Sequence, residues 1–123
     1  MSYGGSNYAD GKIIILDDEQ MYAFFNTGQS VRIIGKDVKG IDIFNSGDNV
    51  TINGGTSNES IYNKGDEAFI DGGKGSDTID NDGSDVTIDG GAGNDYIYSS
   101  GNNVTVDGGD GNDEIIAGGA NVT

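Results

Sequence analysis

The sequence predicts an all-β fold, a parallel β-roll or β-solenoid with 18-residue coils, each holding two short strands and two tight turns. Three observations predict it. The segments GGKGSDTID (72–80), GGAGNDYIY (90–98) and GGDGNDEII (108–116) begin 18 residues apart. Between them a second half repeats in phase, as VTINGG (50–55), AFIDGG (68–73), VTIDGG (86–91) and VTVDGG (104–109). A further glycine column, Gly47, Gly65, Gly83, Gly101 and Gly119, runs at the same period. Turn residues phase-locked to β-branched residues mark a repeat array.

The period weakens toward the N-terminus. Residues 1–12 read as a flexible lead-in, and MSYGGSNYADG lacks the apolar core of a signal peptide. Residues 13–49 read as atypical N-terminal capping coils. IIILDDEQMYAFFNTGQS (13–30) fits the repeat only through its apolar start and its NTG turn. VRIIGKDVKGIDIFNSGDN (31–49) aligns once a single inserted residue is allowed. Residues 50–123 are the regular repeats, giving about six coils in all. Charge follows the same division, at −3 for residues 1–49 and −12 for residues 50–123.

Alternation within each strand assigns the faces. Val86 and Ile88 point inward and Thr87 outward, while Ile97 points inward between the outward Tyr96 and Tyr98. Stacking coils about 4.8 Å apart then gives one core column of Ile61, Ile79, Ile97 and Ile115, and another of Ile52, Ile70, Ile88 and Val106. A helical reading fails because glycine punctuates the chain too densely.

Composition narrows function. A formal net charge of −15 repels nucleic acid and anionic membranes, and attracts hard cations. The chain has no histidine and no cysteine, so zinc, copper and iron–sulfur sites are disfavoured. The same absence removes the usual base and nucleophile, so no enzyme is expected. No apolar run reaches the roughly 20 residues of a membrane span.

The motif G-G-x-G-x-D-x-U-x, with U a large apolar residue, is matched at every fixed position by residues 72–80, 90–98 and 108–116. In this the chain resembles the RTX (repeats-in-toxin) hemolysin-type calcium-binding proteins, well over residues 50–123 and poorly over 13–49. The resemblance implies a parallel β-roll whose glycine-rich turns bind Ca²⁺ between successive coils. Carried onto matching positions, it implies metal sites at Gly73, Gly75, Asp77, Gly91, Gly93, Asp95, Gly109, Gly111 and Asp113. Asp77 and Asp95 would clamp one ion together with carbonyls of the 72–76 and 90–94 turns, and Asp95 and Asp113 the next. It further implies a secreted, extracellular module of a larger bacterial protein that folds on meeting calcium.

Chemistry agrees with that spelling. Ca²⁺ takes 6–8 oxygens at about 2.3–2.6 Å, and glycine reaches backbone conformations that turn several carbonyls toward one point. Stacked carboxylates without a cation would repel one another. A GG-x-G turn can also serve geometry alone, with its aspartate exposed for solubility. GGTSNESIY (54–62) leaves the two readings open: Ser57 replaces a glycine, and Glu59 is one methylene longer than aspartate.

The chain departs from the RTX pattern at its other edge, which reads NKGDEAFID, NDGSDVTID and SSGNNVTVD without GG-x-G. There Asn49, Glu67, Asp85, Asn103 and Asn121 line up as a polar ladder, so metal is expected on one edge only. Thr51, Thr87, Thr105 and Thr123 form an outward column interrupted by Phe69, too irregular for an ice-binding face. A structural or adhesive solenoid that associates end to end, with calcium secondary or absent, is the alternative function.

Overall fold

The computed structural model describes residues 5–7, 10–17, 23–36 and 39–123. Its strands are β1 (Gly5–Asn7), β2 (Ile13–Leu16), β3 (Ala23–Asn26), β4 (Arg32–Gly35), β5 (Asp42–Asn45), β6 (Thr51–Asn53), β7 (Ser60–Asn63), β8 (Phe69–Asp71), β9 (Thr78–Asn81), β10 (Thr87–Asp89), β11 (Tyr96–Ser99), β12 (Thr105–Asp107) and β13 (Glu114–Ala117). Odd-numbered strands form a seven-stranded sheet and even-numbered ones a six-stranded sheet, every pairing parallel between strands two apart. The chain is thus a β-solenoid, with the two sheets as its walls.

Register carries the repeat into space. From β5 onward, partners lie 18 residues apart, as Asp42↔Ser60, Thr51↔Phe69 and Ile97↔Ile115 show. Earlier partners lie 19 apart, as Ile13↔Arg32 and Arg32↔Thr51 show. The inserted residue of the 31–49 coil falls between β4 and β5, on the edge that later carries GG-x-G-x-D. The opposite edge keeps its length throughout. Gly5–Asn7, inside the segment read as a lead-in, pairs with β3; residues 1–4 and 8–9 of that segment lie outside the described residues, as do 18–22 and 37–38 of the capping coils.

The core runs down the space between the sheets. Ile33, Ile52, Ile70 and Ile88 stack on one wall, and Phe24, Ile43, Ile61, Ile79 and Ile97 on the other. Val31, Val50, Ala68, Val86 and Val104 make a third column. β-branched side chains suit these positions because they pack tightly against the same residue one coil away. The core column ends before Ile115: that side chain is 44 % exposed, because β13 is the outermost strand of its sheet and no coil covers it.

A fourth inward column is polar. Asn26, Asn45, Asn63, Asn81 and Ser99 are all buried. Each amide donates along the axis, from Asn45 Nδ2 to Asn63 Oδ1 at 2.7 Å and from Asn63 Nδ2 to Asn81 Oδ1 at 2.7 Å. The same amides donate to the turn carbonyls Gly47 O and Gly65 O, both at 2.8 Å. Buried amides are tolerated because this ladder satisfies them.

Candidate metal centre

The GG-x-G-x-D edge lies between each even strand and the odd strand that follows. Its second and third glycines adopt a left-handed backbone: φ is +94° and +106° at Gly73 and Gly75, +97° and +127° at Gly91 and Gly93, and +84° and +117° at Gly109 and Gly111. Close stacking is a second requirement at Gly91, where a Cβ would stand 2.9 Å from the Gly73 carbonyl carbon. Gly55 keeps a positive φ of +120°, whereas Ser57 has none. The 54–59 turn therefore reproduces only part of the later geometry.

The aspartates face inward; Asp77 and Asp95 are buried and Asp113 is half-buried. Asp77 Oδ1 accepts the Glu59 N–H at 2.7 Å, Asp95 Oδ1 the Asp77 N–H at 2.8 Å, and Asp113 Oδ1 the Asp95 N–H at 2.9 Å. Each carboxylate thus caps the turn of the preceding coil with one oxygen. The other oxygen is different. Asp77 Oδ2, Asp95 Oδ2 and both oxygens of Glu59 are buried without a hydrogen bond of good geometry, and the Glu59 and Asp77 carboxyls lie close enough to share a proton.

An unpartnered buried carboxylate oxygen is expensive, because its lost hydration is not replaced. Burial pushes the Glu59 carboxyl up to about 8, with the neighbouring Asp77 carboxylate adding to the shift. Asp77 is raised to about 6, again by burial first, although the Glu59 N–H partly offsets it. Asp95 is raised by burial, and further by Asp113 and Asp89. Register places Ile41, fully buried, one coil before Glu59 in this same column. The fold therefore accepts an apolar side chain where the later coils carry acids.

Backbone oxygens converge on the unpartnered ones. The space a Cβ would occupy at Gly90 lies 2.6 Å from both Asp95 Oδ2 and the Gly108 carbonyl oxygen. At Gly72 the corresponding distances are 2.7 Å to Asp77 Oδ2 and 2.5 Å to the Gly90 carbonyl oxygen. The first glycine of each pair, absent from the sequence-level set, thus leaves open an oxygen-lined cradle that any side chain would fill. Among the described residues, no group of three or more acidic side chains is arranged to hold a metal by itself. Sequence reasoning also missed Asp71, Asp89 and Asp107, whose Oδ1 atoms accept the N–H of Gly73, Gly91 and Gly109 at 2.9, 3.0 and 2.9 Å. The spelling D-G-G was the available signal, since aspartate bonds readily to the backbone two residues on.

The opposite edge has another construction. Asn49, Glu67, Asp85, Asn103 and Asn121 all adopt φ between +55° and +58°, a region asparagine and aspartate enter more readily than other side chains. Asn103 Nδ2 donates to Asp85 Oδ1 at 3.0 Å and Asn121 Nδ2 to Asn103 Oδ1 at 2.9 Å, an exposed polar ladder. None of the unpartnered buried oxygens lies on this edge. Comparison of the chain with family models, with curated proteins and with solved structures finds no match.

Proposed function

We propose that the chain is a calcium-binding β-solenoid module of the RTX type, holding Ca²⁺ between successive GG-x-G-x-D turns. The observation that carries this reading is the pair of buried, unpartnered oxygens Asp77 Oδ2 and Asp95 Oδ2 beside glycine carbonyls. A hard cation satisfies such oxygens and offsets the repulsion within the acidic column. Asp77 and Asp95 would hold one ion and Asp95 and Asp113 the next, with most remaining oxygens drawn from the 72–76, 90–94 and 108–112 turns. Glu59 and Asp77 flank a further interval, where the longer side chain and Ser57 alter the donor set.

Bound calcium supplies positive charge to a segment dense in acids. The chain's own residues do the rest: left-handed glycines shape the turns, Oδ1 atoms cap the backbone, and the isoleucine columns anchor each coil. Ions that bind only the folded state stabilise it by mass action. Calcium modules outside cells work at about 10⁻⁴–10⁻³ M, which suits a secreted bacterial protein that folds after export. Isothermal titration of the metal-free chain with Ca²⁺ tests the proposal. Saturable heat in that range supports it, and no binding up to about 10⁻² M, well beyond that range, refutes it.

A second reading, a structural or adhesive solenoid, draws on the asparagine ladder and the Oδ1 caps, which hold the coils together without an ion. β13, last in its sheet, presents a backbone edge of the kind that pairs with another chain, whereas Thr123 already pairs with β12, accepting the Val106 N–H at 2.8 Å and donating to Val104 O at 2.9 Å. End-to-end association belongs to this reading, and sedimentation across a concentration range measures it. Among the described residues, no helix is long and apolar enough to cross a membrane.

A further inference from the structure

Glu59 stands in the acidic column without sharing the aspartates' structural task. Asp77, Asp95 and Asp113 each commit Oδ1 to the backbone N–H of the acid one coil before. One coil before Glu59 stands Ile41, and neither Glu59 oxygen caps its backbone, since both are buried without a hydrogen bond of good geometry. The side chain is 1 % exposed, so bulk water does not solvate it. Asp77 and Asp95 therefore leave one carboxylate oxygen over, and Glu59 leaves two.

The surroundings repeat the cradle of the later turns. A Cβ built on Gly54 would lie against the Gly72 carbonyl oxygen and 3.1 Å from Glu59 Oε2, the arrangement found again at Gly72 and Gly90. Ser57, in place of the third glycine, still stacks its carbonyl against Gly75, as Gly75 does against Gly93. Two carboxylates held this close repel unless a proton or a cation lies between them. A carboxylate with both oxygens to spare is the bidentate ligand that Ca²⁺ accepts, whereas Mg²⁺ demands near-octahedral geometry at about 2.0–2.1 Å. The column goes no further toward the N-terminus: Ile41 brings no side-chain oxygen, and the turn before it carries Lys36 and Lys39.

We propose, resting on the calcium reading above, that Glu59 and Asp77 form a further Ca²⁺ site at the start of the column, in which Glu59 ligates through both oxygens. The ion there fastens the 54–62 turn to the 72–80 turn, across the one interval whose spelling departs from GG-x-G-x-D. Bound calcium is counted in the full chain by native mass spectrometry and equilibrium dialysis, for the parent, Glu59→Gln and Glu59→Ile. Each variant should hold one ion fewer than the parent. Glu59→Ile prolongs the apolar side chain of Ile41 into the next coil, and circular dichroism should show it folded. Asp85→Asn, on the opposite edge, should leave the count unchanged, and Mg²⁺ in place of calcium should not fill the Glu59 site. An equal count in the parent and both variants would overturn this site and leave the calcium reading standing, because the carboxyl pair would then close the interval with its proton alone. Loss of every ion in both variants would overturn it as a separate site, and equal filling by Mg²⁺ would overturn the bidentate role of Glu59. A parent that binds no calcium would overturn the site and the reading together.

Discussion

Asp95 caps the backbone N–H of Asp77 through Oδ1 at 2.8 Å while its Oδ2 is buried with no partner. One carboxylate thus does two things: it closes the stack between coils, and it leaves an oxygen for something the chain does not supply. Register repeats the cap from coil to coil, from Asp77 onto Glu59 and from Asp113 onto Asp95. The structural role and the proposed metal-binding role therefore belong to different oxygens of the same residue, and substitution can separate them.

The acidic column makes stability depend on pH in an unusual direction. Folding raises Glu59 from an ordinary 4.5 to about 8 and Asp77 from 3.8 to about 6, chiefly through burial. The folded state holds these protons where the unfolded chain releases them. Their contribution is therefore complete below the unfolded values and is lost as pH rises through 6 and then 8. Without metal, the thermal midpoint should be higher near pH 5 than near pH 8.5, and Glu59→Gln should flatten the upper part of that slope. A midpoint that climbs between these pH values would contradict the column's burial.

Gly91→Ala should be severe. It combines a φ of +97° with a Cβ 2.9 Å from the Gly73 carbonyl carbon, so strain and overlap together should cost about 2 kcal/mol or more. Gly118→Ala is the control, with nothing within 4 Å of its Cβ, and should stay within about 0.5 kcal/mol of the parent. Urea unfolding of both measures the difference.

The buried amide ladder predicts a graded pair. Asn63→Ala removes the acceptor of Asn45 Nδ2 and the donor to Asn81 Oδ1 and Gly65 O, and should destabilise by about 1–3 kcal/mol. Asn63→Ser should cost less, because Ser99 already fills this column and accepts from Asn81 Nδ2 at 3.1 Å. Equal losses in denaturant unfolding would show that the cavity, and not the hydrogen bonds, sets the penalty.

Much of the fold was legible. An 18-residue period with isoleucine every coil leaves one way to stack, and the parallel registers follow it residue for residue. The insertion in the 31–49 coil was legible too, although its place between β4 and β5 emerged only from the strand pairings. Ile115 was misread as core because periodicity assigns a face without saying whether another coil covers it. The N-x-G turns were visible, but periodicity gives asparagine no inward preference, so the ladder through Asn45 and Asn63 was missed. At the site, GG-x-G-x-D named the turn glycines and the aspartates. It did not reveal that the carboxylates point into the stack, which depends on how closely the coils approach, nor that Gly72 and Gly90 leave room for them.

The most direct test of the central claim is thermal unfolding with calcium and with chelator, for the parent chain and Asp95→Asn. Asparagine keeps the Oδ1 cap on Asp77 but removes the buried charge. Calcium should raise the parent midpoint by roughly 5–15 °C. In chelator, Asp95→Asn should match or exceed the parent, and in calcium it should gain much less. A parent midpoint unmoved by calcium, or an equal gain in the variant, would contradict calcium binding by the acidic column.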